Sequence, residues 1–189
     1  MTISKFLLAA AIAGLSVPAL STTIGQHAHG QASVGGAAMF ANRTIVQNAA
    51  NSPIHTTLVA AVTAAGLVDT LSGAGPFTVF APTNDAFARL PAGTVDTLLQ
   101  PANQAQLQAV LTYHVVAGRV TAADLMRQIR AGRGSARLTT VQGGTLTARA
   151  RGNGIVLTDG RGGTARVTQA DGMQSNGVIH VTDAVSLPR

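Results

Sequence analysis

Gly75-Pro-Phe-Thr-Val-Phe-Ala-Pro-Thr-Asn-Asp-Ala-Phe-Ala-Arg-Leu90 is the stretch whose reading decides the fold. Gly75 and Pro76 are turn formers. Phe77, Val79 and Ala81 then alternate with Thr78 and Phe80, the two-residue period of a strand laid against a core. Pro82 has no N–H to donate, so strand pairing is expected to stop there. Thr83 is placed to cap a helix, and Asp85 falls in its first turn, where unpaired N–H groups and the positive dipole end favour a carboxylate. Phe87 and Leu90 give that helix an apolar side before Pro91 stops it. A strand therefore runs into a helix with almost no slack, and both contribute aromatic mass.

Upstream of this corner the period is helical. Thr44 to Ala50 predicts a short helix with Asn42 as a candidate cap, and Asn51, Ser52 and Pro53 break it. A second helix is expected from about Ile54 to Ala65, with Leu58, Ala61, Val62 and Ala65 at three-and-four spacing and Gly66 at its end. His55 then falls at that helix's exposed start. Downstream, Asn103 and Gln106 have capping-box spacing ahead of a helix through Tyr113. In it, Leu107, Val110, Leu111 and His114 stand at i, i+3, i+4 and i+7. His114 thus lies on the apolar face. A core histidine with both ring nitrogens bonded fits that place better than a base or a metal ligand. Its expected companions are the region around Asp85 or a backbone carbonyl near the end of the chain. Thr121 and Asp124 open one more helix.

From Ala131 the period changes to two. Residues 136–141, 145–149, 155–157 and 165–168 fit strands, separated by Gly143-Gly144, Gly152-Asn-Gly154 and Gly160-Arg-Gly-Gly163. Ser175-Asn-Gly177 turns into Val178-Ile-His-Val-Thr182, where the alternation sets His180 on the face opposite Ile179 and Val181 and predicts a more exposed ring than that of His114. Helices come first, then a meander of mostly antiparallel strands that the early strand at Phe77 must join. The class is α+β rather than a βαβ repeat.

Residues 1–21 read as a secretory signal: Lys5, an apolar run from Phe6 to Val17, and the small-residue pattern Val17-Pro-Ala19, with cleavage after Ala19 or Ser21. The apolar run is interrupted by Gly14, Ser16 and Pro18 and falls short of the roughly 20 residues a spanning helix needs. No second candidate span follows. Residues 22–41 lack periodicity and read as a flexible leader; His27 and His29 alone make a poor metal site. The folded domain is then 42–188. The chain has no cysteine, which excludes disulfides, thiolate metal sites and a lipid anchor on an N-terminal Cys.

The corner, with two later blocks, resembles the fasciclin domain family. Gly75 to Phe87 is similar to its first block, Tyr113-His-Val-Val116 to its central tyrosine–histidine block, and Asn176-Gly-Val-Ile-His-Val-Thr-Asp-Ala-Val185 with Leu187-Pro188 to its closing block. Order and spacing match over residues 42–188. The residues that carry the resemblance are Phe77, Phe80, Pro82, Thr83, Asp85, Phe87, Tyr113, His114, Asn176, Gly177, His180 and Asp183. The resemblance implies a fasciclin-like wedge, with N-terminal helices packed on a twisted, mostly antiparallel, β-sandwich-like core. It also implies a secreted or surface-attached adhesion or matrix module, in a single copy. Integrin contact in animal members is placed near the tyrosine–histidine block; the inward position of His114 argues against carrying that role to Tyr113–Val116.

For function, no HExxH, GxSxG or paired carboxylates at helical spacing are present, and Gly160–Gly163 lacks the Lys-Ser/Thr of a phosphate loop. The expected class is an exported, periplasmic or secreted, non-catalytic binding module without a cofactor. Thirteen Lys and Arg against seven acidic residues give +6. Arg127, Arg130, Arg133 and Arg137 form a local run, with Arg149, Arg151, Arg161 and Arg166 beyond it. That run is a candidate contact for an anionic polysaccharide or lipid surface of the envelope. Trp is absent and Tyr113 is the only Tyr, so the stacking platforms of a nucleic-acid binder are missing. A carrier of a small lipophilic ligand is the other alternative.

Overall fold

The structure is a computed structural model that describes residues 33–189. The signal-peptide reading of residues 1–21 and the His27/His29 pair lie outside the described residues. In chain order the elements are β1 (Ser33–Val34), β2 (Ala37–Ala38), α1 (Ile45–Ala50), α2 (Thr56–Ala64), α3 (Val68–Ser72), β3 (Phe77–Pro82), α4 (Asn84–Ala88), α5 (Thr94–Leu98), a 3-10 turn (Pro101–Asn103), α6 (Gln104–Tyr113), β4 (Val115–Ala117), α7 (Ala122–Ala131), β5 (Ala136–Thr139), β6 (Thr145–Arg151), β7 (Gly154–Thr158), β8 (Thr164–Gln174) and β9 (Gly177–Thr182). Helices precede a strand meander, as the change of period requires. The class is α+β.

Seven strands form one sheet in the order β4-β3-β9-β8-β7-β6-β5. Every neighbour pair is antiparallel except β3 with β9, where Phe77 to Pro82 run alongside Gly177 to Thr182. The two ends approach each other. Val116 bridges to Thr140, and the Val141 N–H donates to the Val115 carbonyl at 2.7 Å. The core is thus a mixed sheet curled nearly into a barrel, a form that leaves little free edge.

The curl makes two apolar clusters and explains the density of the corner. Val79 and Ala81 point with Ile179 and Val181 toward the N-terminal helices, packing among Leu58, Val62, Leu107 and Leu111. Phe80 points the other way, into the curled sheet, with Leu125 and Ile129 of α7 and Leu138, Leu146 and Leu157. Strand β3 is therefore covered on both faces. Pro82 ends β3 but still sits opposite Thr182, and the next residue, Thr83, donates its N–H to the Thr182 carbonyl at 3.2 Å. Alternate N–H groups of a strand face opposite neighbours, so the missing donor costs nothing toward β9. Pairing runs one residue past the expected stop. Thr83 then caps α4 by accepting from the Ala86 N–H at 3.2 Å, and Asp85 is exposed in the first turn.

Three local expectations are corrected. The leader does not extend to residue 41: β1 and β2 pair, and Val34 and Met39 are buried, so the folded unit reaches back at least to Ser33. Small residues hid this, because two-residue strands show no period. Thr44, not Asn42, caps α1 and forms a capping box with Gln47. Asn103 does not cap α6; its backbone is not extended as a cap requires, and its amide instead donates to the Thr97 carbonyl at 2.7 Å.

Candidate functional site

Ionisable and polar side chains fall into two groups, one sealed inside the fold and one outside it. The inner group begins with three histidines. His114 follows α6 and is 3% exposed. Its Nδ1 meets the Val110 carbonyl at 2.8 Å, so that nitrogen carries the proton, and Nε2 accepts from the Ser186 N–H at 2.9 Å. Neither Asp85 nor a closing carbonyl partners it: the closing segment supplies a donor instead, because the helix carbonyl already accepts. Burial lowers the pKa of this ring, partly offset by the Val110 bond and the Asp159 charge.

His180 corrects the expectation of exposure. It is fully buried, with Nε2 donating to the Val120 carbonyl at 2.8 Å and Nδ1 accepting from the Asp171 N–H at 3.3 Å. Its ring stacks on Phe80, with centroids 5.5 Å apart. Alternation correctly set it opposite Ile179 and Val181, but β9 lies mid-sheet and both of its faces are covered. His55 is a second correction. It is 1% exposed, with Nδ1 and the Ser52 hydroxyl 2.9 Å apart and Nε2 without a hydrogen-bond partner. His55 itself is sealed although Thr56 beside it is exposed; the β3–α4 corner is tied to this turn by Asn84, which accepts from the Thr57 N–H at 3.0 Å and donates to the Pro53 carbonyl at 3.0 Å. Burial lowers the pKa of His55, offset in part by the Ala81 backbone, and that of His180, offset by the Val120 bond and the Asp171 charge. Ser52 is equally buried, so this serine–histidine contact is out of reach of a substrate.

The remaining signature residues are joints. Tyr113, 1% exposed, donates its hydroxyl to the Thr145 carbonyl at 2.7 Å and accepts from the Gly160 N–H at 2.8 Å, tying α6 to both ends of the β6–β7 hairpin. Asn176 accepts from the Ile45 N–H at 3.0 Å and donates to the Leu71 and Gly73 carbonyls at 2.8 and 2.9 Å. It thereby finishes two helix ends at once. Gly177 is required by crowding: a Cβ there would lie 2.0 Å from the Phe77 carbonyl oxygen. Asn48 and Gln174, buried and bonded to each other, pin the segment at Phe40 in the same way; sequence reading missed both, as it missed Asn84. Asp183 accepts from the Arg166 N–H at 2.7 Å, while Phe77 and Phe87 pack in or against the helical cluster.

The outer group is arginine. The expected run of Arg127, Arg130, Arg133 and Arg137 is divided. Arg127 pairs with Asp124, whose carboxyl is held below its usual range chiefly by donors of Thr121. Arg130 and Arg133 are exposed at the end of α7 and just beyond it. Arg137 is on β5, where Leu138 turns in toward α7 and Arg137 therefore turns out. It lines an open cleft of about 590 Å³ together with Gln142, Thr145, Thr147 and Asp159. Among the described residues no group of three or more His, Cys, Asp or Glu side chains could hold a metal ion, and no helix is long and apolar enough to cross a membrane.

The signature polar groups of this α+β unit are structural joints, not an exposed reactive cluster. The fasciclin domain model matches residues 53–188, and the chain belongs to that family. It is 49% identical over 145 residues to protein sll1483 of Synechocystis, a match covering 77% of this chain and 73% of that one. It is 37% identical over 145 residues to the immunogenic protein MPB70 of Mycobacterium bovis, covering 74% and 66%. A shorter match, 44% over 92 residues, links it to the cell surface glycolipoprotein MPB83 of the same species, covering 46% and 40%. In structure it is similar to the FAS1 domain pair of the insect cell adhesion molecule Fasciclin I, with a TM-score of 0.68 at 18% identity over 76% of this chain and 50% of that one. Family and fold are those of the fasciclin domain.

Proposed function

We propose that this protein is an exported binding and adhesion module that works in the periplasm or outside the cell. The observation that supports this reading is the division just described. The signature tyrosine, histidines and asparagine are occupied inside the fold, whereas arginines of β5, β6 and β8 stand exposed with no carboxylate within salt-bridge distance among the described residues. The names of two similar proteins, a cell surface glycolipoprotein and a cell adhesion molecule, agree with it, as does the signal-like start at Lys5 and Val17-Pro-Ala19.

A lipophilic carrier is less well supported. The apolar cavity between α1, α2 and α6, bordered by Leu58, Leu111 and His114, measures about 30 Å³. Ligand pockets are commonly about 300–1,000 Å³, so the cavity has room for little more than one water. The test is fractionation with intact-mass analysis, followed by adhesion of protein-coated beads to isolated envelopes. The expected results are a product beginning at Leu20 or Thr22 outside the cytoplasm, and adhesion that weakens as salt rises. A product retaining Met1 and Lys5 in the cytoplasm, or beads that ignore envelopes, would overturn the reading.

A further inference from the structure

We propose that the outer face of strands β5 to β8, with the cleft at its Arg137 end, is a docking surface for an anionic polysaccharide. This rests on the binding-module reading and names the chemistry of the partner.

Strand register assembles the face from residues far apart in sequence. Arg137 lies opposite Thr147, Thr147 opposite Thr158, and Thr158 opposite Thr164. One step along, Arg149 lies opposite Val156 and Val156 opposite Arg166; Thr139 opposite Thr145 begins a third row. Same-face rows are about 7 Å apart and neighbouring strands about 4.8 Å, so Arg149 and Arg166 stand roughly 10 Å apart across the face. The residues between these positions, Leu138, Leu146, Ala148, Leu157 and Ala165, all point into the core. Arg137, Arg149 and Arg166 are exposed. Two carboxylates border the face, and backbone donors hold both. Asp159 accepts from the N–H groups of Arg161, Gly163 and Leu187, and Asp183 from that of Arg166. The guanidinium groups are thus left for an outside anion.

The chemistry between the charges selects the partner. Rows of threonine hydroxyls can both donate to and accept from sugar hydroxyls, and guanidinium groups pair well with carboxylate or sulfate. A single strand of nucleic acid would need exposed stacking rings; the one ring at the cleft, that of Tyr113, is 1% exposed. Firm seating on a bilayer adds inserted apolar side chains to charge attraction; here Val156 is half-buried, and the exposed large apolar residues, Val141 and Met173, lie off these rows. The cleft of about 590 Å³ at the Arg137 end gives a sugar unit somewhere to seat.

Purified protein would be applied to immobilised polygalacturonate in salt steps, beside neutral dextran, phosphatidylglycerol vesicles and single-stranded DNA. Wild type should bind polygalacturonate at low salt, elute as salt rises and ignore dextran. The triple variant R137Q/R149Q/R166Q should bind at least ~10-fold more weakly, and R127Q/R130Q/R133Q should stay within about 2-fold of wild type, because screening confines charge attraction to about 8–10 Å. Matching circular dichroism and urea midpoints would show that both variants are folded, and single R149Q protein should show an intermediate loss. No retention of wild type, equal losses in the two triple variants, or tighter binding to vesicles or DNA would each overturn the proposal. If envelope adhesion persists while polygalacturonate binding is absent, the polysaccharide site falls and the module reading stands.

Discussion

The buried signature residues and the outer face of β5–β8 obey different rules. Inside, the polar side chains have fixed partners a few ångströms away, His55 Nε2 excepted; outside, Arg137, Arg149 and Arg166 stand in register with threonines and carry no ion pair among the described residues. Residues that make a family recognisable are here the ones that make it fold. The outer face, by contrast, is built from a plain alternation of apolar and polar residues, which carries no motif. Substitution should separate the two regions cleanly.

The largest expected effect is in the interior. Phe80→Ala should cost about 3–5 kcal/mol in urea unfolding, from lost burial and the cavity left against His180 and Leu125. A loss below ~1 kcal/mol would make the corner peripheral. Next comes Asn176→Ala, which leaves the Ile45 N–H and the Leu71 and Gly73 carbonyls without their partner. Each unsatisfied buried group costs about 1–3 kcal/mol, and hydrogen exchange should loosen first at the start of α1 and the end of α3. His114→Ala should fall in the same range, without change in the metal content of the purified protein.

Acid should act on the same interior. His55, His114 and His180 all have folded-state pKa values pushed below the ordinary 6.5 by burial. Between the folded and unfolded values the unfolded chain binds more protons, so stability is full above about pH 6.5 and declines as pH falls below it. His55, with Nε2 unpartnered, has the least to lose from replacement. His55→Gln should flatten this acid slope in urea midpoints measured from pH 7.5 to 5, and an unchanged slope would place the titration elsewhere. The smallest stability effect is expected outside: Arg149→Gln should shift unfolding by no more than ~0.5 kcal/mol.

How much of this was legible in the sequence follows the same division. The corner was readable because Pro82, Thr83 and the flanking aromatics each favour the same local geometry, and the strand meander because its glycine turns interrupt a clean two-residue period. Burial of His180 was not, since alternation reports which face a residue takes but not whether another layer covers that face. His55 was misplaced for a related reason: the β3–α4 corner that closes over this turn, with Ala81 beside the ring and Asn84 bonded to Thr57 and Pro53, comes nearly thirty positions later. The arginine run misled differently. Of four arginines close in sequence, two lie on α7, one in the turn after it and one on β5, while Arg137, Arg149 and Arg166 come together only through strand register.

The most direct test of the contrast is a titration of the labelled protein with an oligogalacturonate, observed through the arginine Nε–Hε resonances and the backbone amides. The shifts should concentrate on Arg137, Arg149 and Arg166 and on the rim of the adjoining cleft, leaving Arg130, Arg133 and the amides of Val178 to Val181 in place. Shifts centred on the closing block or on Val115 and Val116, with the outer arginines unmoved, would contradict the account.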